Sequence, residues 1–307
     1  MRFHDGNSSG FWGNTTSTLD WCEHNYAVCH YIAEFWNTIS NVPMALLALY
    51  GMYCVRKYGF ETRFLIAYFG LFVVGFGSWC FHGTLDYSAQ LLDELPMIYG
   101  TCVFVYCVLE DRPKSRYGWP LILGLFLYAV VVTVVYLFVK VAEFHQVAYG
   151  LMVALIVFKC CYHYKIGDLS RDPLQPKIFF GALIAYLGGF ALWNIDNIFC
   201  GSLRAWRAEL PFPLDGLLEL HAWWHIGTGY GTYLFIVTNQ MLRSTWLRQS
   251  GGNDSLDAVG GSEVHFERIF GIIPYVVKDT AAPRRSKRIA SASATPVTTR
   301  TLRSKRD

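Results

Sequence analysis

The stretch Trp119-Pro-Leu-Ile-Leu-Gly-Leu-Phe-Leu-Tyr-Ala-Val-Val-Val-Thr-Val-Val-Tyr-Leu-Phe-Val139 decides the fold class of this sequence. It contains no charged side chain, and a helix of about 20 apolar residues crosses the hydrocarbon core of a bilayer. Six other apolar runs have a comparable length, although some include Gly, Pro, Ser or Asn, which membrane helices tolerate. The seven candidate spans are residues 33–55, 63–81, 91–109, 119–139, 143–159, 177–199 and 216–241. We therefore predict an all-α membrane protein, a bundle of seven transmembrane helices.

The composition excludes two other classes of protein. Apolar residues make up 53% of the 307 residues, aromatic residues 17% and charged residues only 16%, against about a quarter charged in a soluble domain. Such a chain is not a water-soluble globule, and it has too many aromatic residues to be disordered throughout. We divide it into an N-terminal segment of residues 1–32, a transmembrane domain of residues 33–241 and a basic tail of residues 242–307.

The basic residues of the short loops predict the orientation, because such residues stay on the cytoplasmic side. With the N-terminus outside, the inner loops contain ten Lys or Arg and the outer segments contain four. The inner residues are Arg56, Lys57, Arg63, Arg112, Lys114, Arg116, Lys159, Lys165, Arg171 and Lys177, and the outer ones are Arg2, Lys140, Arg204 and Arg207. This imbalance predicts a lumenal or extracellular N-terminus and a cytosolic C-terminus.

Two kinds of modification become possible on the lumenal side. The Asn-x-Ser/Thr sequons at Asn7 and Asn14 are candidate glycosylation sites. Four of the nine cysteines also fall at or near this side, where oxidation is allowed: Cys22, Cys29, Cys80 and Cys200. A bridge between Cys22 and Cys200 would hold the N-terminal segment over the bundle. The alternative is that these thiols are free and pack as small apolar groups.

Three histidines are candidate metal ligands. His221 and His225 are four positions apart near the start of the seventh span, so their side chains lie on one helix face. His82 closes the second span, which runs in the opposite direction, and it therefore reaches the same membrane level. Three neutral imidazoles with one open position are typical of catalytic zinc. The alternative is a set of interfacial histidines beside the aromatic belt.

Two further polar residues lie at the level of these histidines. Ser78 precedes His82 by four residues, and Asp93 begins the third span. Ionisable residues in membrane spans are costly and therefore candidate functional groups. Ser78 could instead bond its own helix, and Asp93 could be a carboxylate favoured by the helix dipole. His145 and His163 stand apart near span ends, and we expect them to be solvated.

An oxygen-rich cluster precedes the first span. It consists of Asp20, Glu23 and Asn25, followed by Glu34 and Asn37. Carboxylate and amide oxygens at this density suit a hard cation such as calcium. The stretch is not an EF-hand, because the twelve-residue loop with its central glycine is missing. A solvated polar loop is the alternative, although Glu34 falls at a membrane boundary, where a carboxylate needs a partner.

Taken together, these residues resemble the alkaline ceramidases, a family in the membrane-hydrolase superfamily that also includes the adiponectin and progestin receptors. The superfamily pattern is Ser-x-x-x-His ending the second helix, an Asp in the third and His-x-x-x-His in the seventh. Here these are Ser78 to His82, Asp93, and His221 to His225. The alkaline ceramidase branch adds Gly10-Phe-Trp-Gly13 and Asp20-Trp21-Cys22-Glu23-His-Asn25, which are also present. The resemblance covers about residues 8–245.

The resemblance implies a ligand set and a reaction. It implies zinc on His82, His221 and His225, and calcium on Asp20, Glu23, Asn25 and Glu34 with the Trp21 carbonyl. It also supports the Cys22 to Cys200 disulfide. The implied reaction is hydrolysis, within the bilayer, of the amide bond of ceramide, dihydroceramide or phytoceramide to a sphingoid base and a free fatty acid. Asp93 is then the general acid and base, and Ser78 stabilises the oxyanion.

Three other functions are compatible with a seven-span chain. Seven spans and Glu110-Asp111-Arg112 are compatible with a G-protein-coupled receptor, but the seventh span lacks an Asn-Pro-x-x-Tyr pattern. A zinc-containing receptor of the adiponectin or progestin receptor type is the main alternative, and the outside N-terminus argues against the adiponectin-receptor group. A transporter or channel is disfavoured because no paired, broken helices are evident.

The tail suggests where the protein resides. Residues 249–262 and 281 onward are rich in small and polar residues, so we expect the tail to be mostly disordered, with residues 265–277 resting on the membrane surface. The basic run 303–306 resembles a dibasic retrieval signal, which favours the endoplasmic reticulum or Golgi membrane. We expect membrane lipids as partners, no nucleic acid and no obligate protein partner.

Overall fold

The computed structural model describes residues 10–168, 172–250 and 263–279, which are mostly helical. The described helices are α1 (Phe35–Ile39), α2 (Val42–Lys57), α3 (Thr62–Thr84), α4 (Tyr87–Leu109), α5 (Trp119–Val139), α6 (Ala142–Lys165), α7 (Gln175–Ala208) and α8 (Leu220–Ser250). A short 3-10 helix, Leu214–Leu218, lies between α7 and α8. Asn7 and the basic clusters of the tail lie outside the described residues.

Six segments of the described chain are long and apolar enough to cross a membrane. They are α1 with α2 taken together as Phe35–Lys57, and each of the helices α3 to α7. The seventh predicted span corresponds to α8, which has 31 residues and is more polar because of its His, Thr, Tyr, Asn and Gln side chains. The prediction of a multi-pass helical membrane protein is thus confirmed.

The first predicted span is broken rather than continuous. Ser40 and Asn41 separate α1 from α2, and Pro43 occupies the first turn of α2. Proline has no N–H to give to the preceding turn and clashes with it, so a helix begins there more readily than it continues through. The Ser40 hydroxyl and the Asn41 amide both donate to the Asn37 carbonyl, at 2.8 and 2.9 Å.

Glycines bring the helix backbones close together, as is common in membrane bundles. A methyl group on Gly77 of α3 would lie 2.1 Å from the Leu92 carbonyl oxygen of α4. On α8, a methyl group on Gly227 would lie 2.8 Å from the Ala185 carbonyl oxygen of α7, and one on Gly229 would lie 2.8 Å from the side chain of Met44. Helix α8 is therefore seated deep in the bundle against α7 and α2.

The N-terminal segment is attached to the end of α3. The last carbonyls of a helix have no partner within the helix, and here the segment supplies donors. Ala33 donates its N–H to Gly83 at 3.0 Å, Glu34 to His82 at 2.9 Å and Ser17 to Leu85 at 3.1 Å. The segment thus lies over the end of the bundle at which α3 ends and α8 begins.

The described part of the tail is more ordered than expected. Helix α8 continues to Ser250, beyond the predicted boundary at Met241. Strands β1 (Val264–Ile269) and β2 (Ile273–Lys278) form an antiparallel hairpin. Val276 of β2 is buried in the main hydrophobic core, and the Tyr233 hydroxyl of α8 donates to the Pro274 carbonyl at 3.0 Å. The segment predicted to rest on the membrane surface is thus docked against the helices instead.

Candidate metal centre

Three histidines meet at one end of the bundle, which we call the histidine end. His82 lies near the end of α3, and His221 and His225 lie in the first two turns of α8. One ring nitrogen of each lies within 4.8 Å of the corresponding nitrogens of the other two. All three side chains are buried, with exposed fractions of 1%, 3% and 5%. The convergence predicted for two antiparallel helices is therefore observed.

Neighbouring side chains orient two of the imidazole rings. The Nδ1 atom of His82 contacts a carboxylate oxygen of Glu34, and Nδ1 of His225 lies 2.8 Å from the Ser40 hydroxyl. A hydrogen bond at one ring nitrogen fixes the tautomer and leaves the other nitrogen as a ligand, which is the usual environment of metal-binding histidine. Both partners come from the broken first span.

The third ring is held by stacking. The ring of His221 stacks on the indole of Trp21, with centroids 4.2 Å apart. Within the described part of the chain, Nδ1 of His221 is buried and has no hydrogen-bond partner. A buried polar atom without a partner is costly. The three imidazole donors fit a divalent metal with one open coordination position.

Ser78 and Asp93 lie beside the triad. Ser78 lies one helical turn before His82. Its hydroxyl is buried, and no donor or acceptor among the described residues meets the usual distance and angle for a hydrogen bond to it. Asp93 faces Ser78 from α4, because Gly77 lets the Leu92–Asp93 backbone approach α3 closely. A carboxylate of α4 and a hydroxyl of α3 thus face each other one helical turn from His82.

The predicted calcium ligands are all buried in or beside the N-terminal segment. Exposed fractions are 9% or less for Asp20, Trp21, Glu23, Asn25 and Glu34. One Glu34 oxygen accepts from the Trp21 N–H at 3.2 Å, and the Asn25 amide donates to Asp20 at 3.3 Å. Among the described residues, the carboxylates of Asp20, Glu23 and Glu34 do not come as close together as the three histidines do.

The Glu23 side chain caps the start of α1. Its two carboxylate oxygens accept from the backbone N–H groups of Trp36 and Asn37, at 2.7 and 2.8 Å. Burial raises the pKa of the Glu23 carboxyl well above its usual range, and the carboxylates of Glu219 and Glu34 raise it further. Burial also raises the pKa of Glu219 to about 7, although Arg207 opposes the shift. Several acidic side chains are therefore crowded together at the histidine end, and the crowding favours the protonated forms of Glu23 and Glu219.

A disulfide ties the segment to α7. Cys22 and Cys200 are bonded, with Cα atoms 5.5 Å apart. Two arginines of α7 reinforce this attachment, because Arg204 donates to the Cys22 carbonyl at 2.9 Å and Arg207 donates to it at 3.2 Å. Cys29 and Cys80 are free.

Comparison with known proteins agrees with this geometry. A profile of the Ceramidase family matches residues 13–259. Alkaline ceramidase 3 of Mus musculus is 48% identical over 240 residues, which cover 78% of this chain and 88% of the relative. Alkaline ceramidase YPC1 of Saccharomyces cerevisiae is 36% identical over 265 residues, covering 81% and 84%. An alkaline ceramidase of Arabidopsis thaliana is 32% identical over 272 residues, covering 89% and 96%.

The chain belongs to the ceramidase family. The family membership expected from Ser78, His82, Asp93, His221 and His225 is thereby confirmed. In this ceramidase the three histidines are brought together, and Ser78 and Asp93 lie beside them.

Sequence reasoning about this ceramidase missed several residues of the site. Ser40 was not singled out, although its hydroxyl contacts His225. A signal was present in the polar residues that recur at helical spacing in the otherwise apolar first span. The expectation that His145 and His163 are solvated was wrong, since both are buried at 2% and 1% exposure.

Proposed function

We propose that this ceramidase is a zinc-dependent amidohydrolase that cleaves ceramide, dihydroceramide or phytoceramide within the bilayer. The products are a sphingoid base and a free fatty acid. The observation that carries the proposal is the buried triad of His82, His221 and His225 next to Ser78 and Asp93. When bound, zinc supplies Lewis-acid polarisation of the substrate carbonyl and of water. The ring contacts to Glu34 and Ser40 support this assignment, because they leave a second nitrogen on each ring for the metal.

Asp93 is proposed as the general acid and base. Its carboxylate takes a proton from the attacking water and returns a proton to the nitrogen of the leaving sphingoid base. The position of Asp93 supports this role, since it faces Ser78 from α4 at the level of the histidines.

Ser78 is proposed to stabilise the charge that develops on the amide oxygen. Its hydroxyl is buried and faces the Asp93 carboxylate, and it would donate to the amide oxygen when the substrate is bound. A donor that is already in position when the charge develops lowers the barrier without reorganisation. We infer that the acyl chain lies between the spans and that the sphingoid hydroxyls face the mouth at the histidine end.

We also propose that calcium binds in the N-terminal segment, with Asp20, Glu23, Asn25, Glu34 and the Trp21 carbonyl as ligands. Buried carboxylates at this end outnumber the two neighbouring arginines, which favours a bound cation. Two contacts would couple this ion to the zinc ligands. Glu34 contacts His82, and the Trp21 ring stacks on His221.

For the topology we propose seven spans with a lumenal N-terminus and a cytosolic C-terminus. Helix α8 is long enough to be the seventh span, and ten basic residues in the inner loops against four in the outer segments favour this orientation. The Cys22–Cys200 disulfide supports a lumenal location for this end, since disulfides persist in oxidising compartments. Asn14 is exposed and suits glycosylation, and we place the protein in the endoplasmic reticulum or Golgi membrane.

Removal and return of zinc tests the proposal. Protein purified in detergent is stripped with a zinc-selective chelator, and ceramide turnover is followed by the release of sphingoid base. We expect at least about a 100-fold loss, restored by zinc. His30→Ala, a substitution of an exposed histidine in the N-terminal segment, is the control and should behave like the wild type. Full turnover without zinc would contradict the mechanism, and zinc binding without turnover would favour the receptor alternative.

A further inference from the structure

Helix α4 has a weak point close to Asp93. Pro96 lies inside the helix, three residues after Asp93. Proline has no N–H group, so the Leu92 carbonyl receives no hydrogen bond from the residue four positions later, and the proline ring crowds the same turn. Membrane helices tolerate such a break when neighbouring groups support the turn. The contacts around this turn therefore indicate what holds Asp93 in place.

Two buried polar side chains of α4 flank Asp93. Gln90 and Glu94 are four positions apart, so their side chains lie on one face of the helix. Their exposed fractions are 0% and 6%, and the Gln90 amide donates to a Glu94 carboxylate oxygen at 3.0 Å. Successive side chains of a helix point about 100° apart, so Glu94 and Asp93 face different neighbours. Neither Gln90 nor Glu94 has a role in the proposed reaction.

Helices α5 and α6 hold Glu94 by its side chain and by its backbone. The Tyr136 hydroxyl of α5 donates to the same Glu94 oxygen and accepts from the Gln90 amide at 3.2 Å. From α6, Nε2 of His145 donates to the Glu94 main-chain carbonyl at 2.7 Å. Both rings are buried. The residue next to Asp93 is thus fixed by two neighbouring helices.

The N-terminal segment reaches the same turn through Gln90. The Gln90 side-chain oxygen accepts from the Thr18 N–H at 2.7 Å, and its amide nitrogen donates to the Thr18 hydroxyl at 2.8 Å. Bonds at both ends of the amide fix its orientation, and hence the donor that it presents to Glu94. The Glu94 network, as we call it, consists of Thr18, Gln90, Glu94, Tyr136 and His145.

We infer that Glu94 is a positioning residue: its network supports the turn that Pro96 weakens and thereby fixes the direction of the Asp93 side chain. The inference rests on the proposed function, in which Asp93 is the general acid and base. Glu94 does not touch the substrate or the metal in this scheme and acts through the α4 backbone. A displacement of a reacting group by about 1 Å can cost about 100-fold in rate, so loss of this support would slow the proton transfers.

Three substitutions in the full-length protein test the inference. Glu94→Leu removes both acceptor oxygens at a similar volume, Glu94→Gln keeps one, and Tyr136→Phe removes only the donor hydroxyl. Tyr99→Phe is the matched control, because the Tyr99 hydroxyl also joins α4 to α5, at 2.9 Å from the Thr133 hydroxyl, but on the other side of Pro96. The readouts are kcat and KM for ceramide, zinc content, and hydrogen–deuterium exchange in a peptide that contains residues 90–98.

We expect Glu94→Leu to lower kcat about 100-fold and Tyr136→Phe about tenfold, with KM and zinc content within about twofold of the wild type. Exchange in the peptide should accelerate about tenfold in Glu94→Leu, since the turn opens more easily. Glu94→Gln should recover most of the activity, because the Tyr136 hydroxyl keeps an acceptor. Tyr99→Phe should match the wild type in every readout.

A double substitution separates positioning of Asp93 from a general loss of structure. Tyr136→Phe should cost less than about twofold in kcat when it is added to Asp93→Asn, because both changes then affect the same step. A full additional tenfold loss would overturn the positioning role, as would unchanged kcat in Glu94→Leu. If Asp93→Asn alone keeps near-normal turnover, the proposed role of Asp93 fails, and the exchange measurement alone decides whether the network supports the turn: unchanged exchange overturns it.

Discussion

Buried histidines lie near carboxylates at both ends of the helix bundle, but the two environments differ. At the histidine end, His82 has one nitrogen against Glu34 and His225 has one against Ser40, and the three rings face one another with centroids 4.6 to 5.1 Å apart. At the opposite end, His163 lies between two carboxylates. Its Nε2 is 3.1 Å from Asp111 and its Nδ1 is 3.0 Å from Asp168.

These two environments distinguish histidines that could bind a metal from a histidine that holds two carboxylates together. Each nitrogen of the His163 ring lies beside a carboxylate rather than beside another imidazole, and Arg112 pairs with one of these carboxylates, Asp168, at 3.0 Å. Ring burial alone therefore does not identify a metal site. The decisive feature is whether the remaining nitrogens of several rings converge, and the structure shows this convergence at the histidine end.

Substitution of one histidine at each end tests most strongly whether the two environments differ in metal binding. His225→Ala should lose zinc and reduce turnover by more than about 1,000-fold, or about 4 kcal/mol of activation free energy. His163→Ala should keep its zinc and its turnover per folded molecule. It should lose about 3 kcal/mol of stability, because two buried carboxylates lose the imidazole that lies between them and keep only their contacts with Arg112. Metal analysis, turnover and thermal unfolding of both variants check this, and loss of zinc in His163→Ala would contradict the distinction.

A second substitution separates metal binding from proton transfer. Asp93→Asn keeps the size of the side chain and removes its basicity. We expect turnover to fall by about 100- to 10,000-fold while one zinc per molecule is retained. Near-normal turnover in this variant would remove Asp93 from the mechanism. The exposed control Glu209→Gln should leave both quantities unchanged.

A smaller effect is expected for Ser78→Ala. Loss of one donor to the developing oxyanion lowers kcat by about 100-fold, and the zinc content should not change. Because the proposed contact strengthens in the transition state, the change should lie in kcat rather than in KM. A change confined to KM would assign Ser78 to substrate binding instead.

The smallest expected effect concerns the link between the N-terminal segment and the histidines. Glu34→Gly removes the carboxylate that contacts His82 and accepts from the Trp21 N–H. We expect calcium to stop activating turnover in this variant and zinc affinity to fall by about tenfold. Calcium titration of the wild type and the variant is the measurement. Unchanged activation would show that Glu34 does not couple the two sites.

The parts of the site that follow a helical repeat could be predicted from sequence. His221 and His225 are spaced to share a helix face, and His82 ends a span of the opposite direction, so their meeting required only the order of the spans. The same reasoning predicts that Ser78 and Asp93 lie at the level of these histidines. Gly77, which allows the two helices to approach, was not needed for that prediction.

The contacts between distant segments could not be predicted in this way. No periodicity indicates that Glu34 turns to His82 or that His163 lies between Asp111 and Asp168. These pairings depend on side-chain directions in the assembled bundle. The hairpin of β1 and β2 was also missed, because its burial comes from α2 and α8 rather than from a core of its own.

The central claim is that His82, His221 and His225 bind one zinc ion that turnover requires. Zinc K-edge X-ray absorption of the purified, active protein tests it most directly. We expect one zinc per molecule with three imidazole nitrogens at about 2.0 to 2.1 Å and one further oxygen. Active protein that contains no zinc, or zinc bound by sulfur or by fewer than three imidazoles, would contradict it.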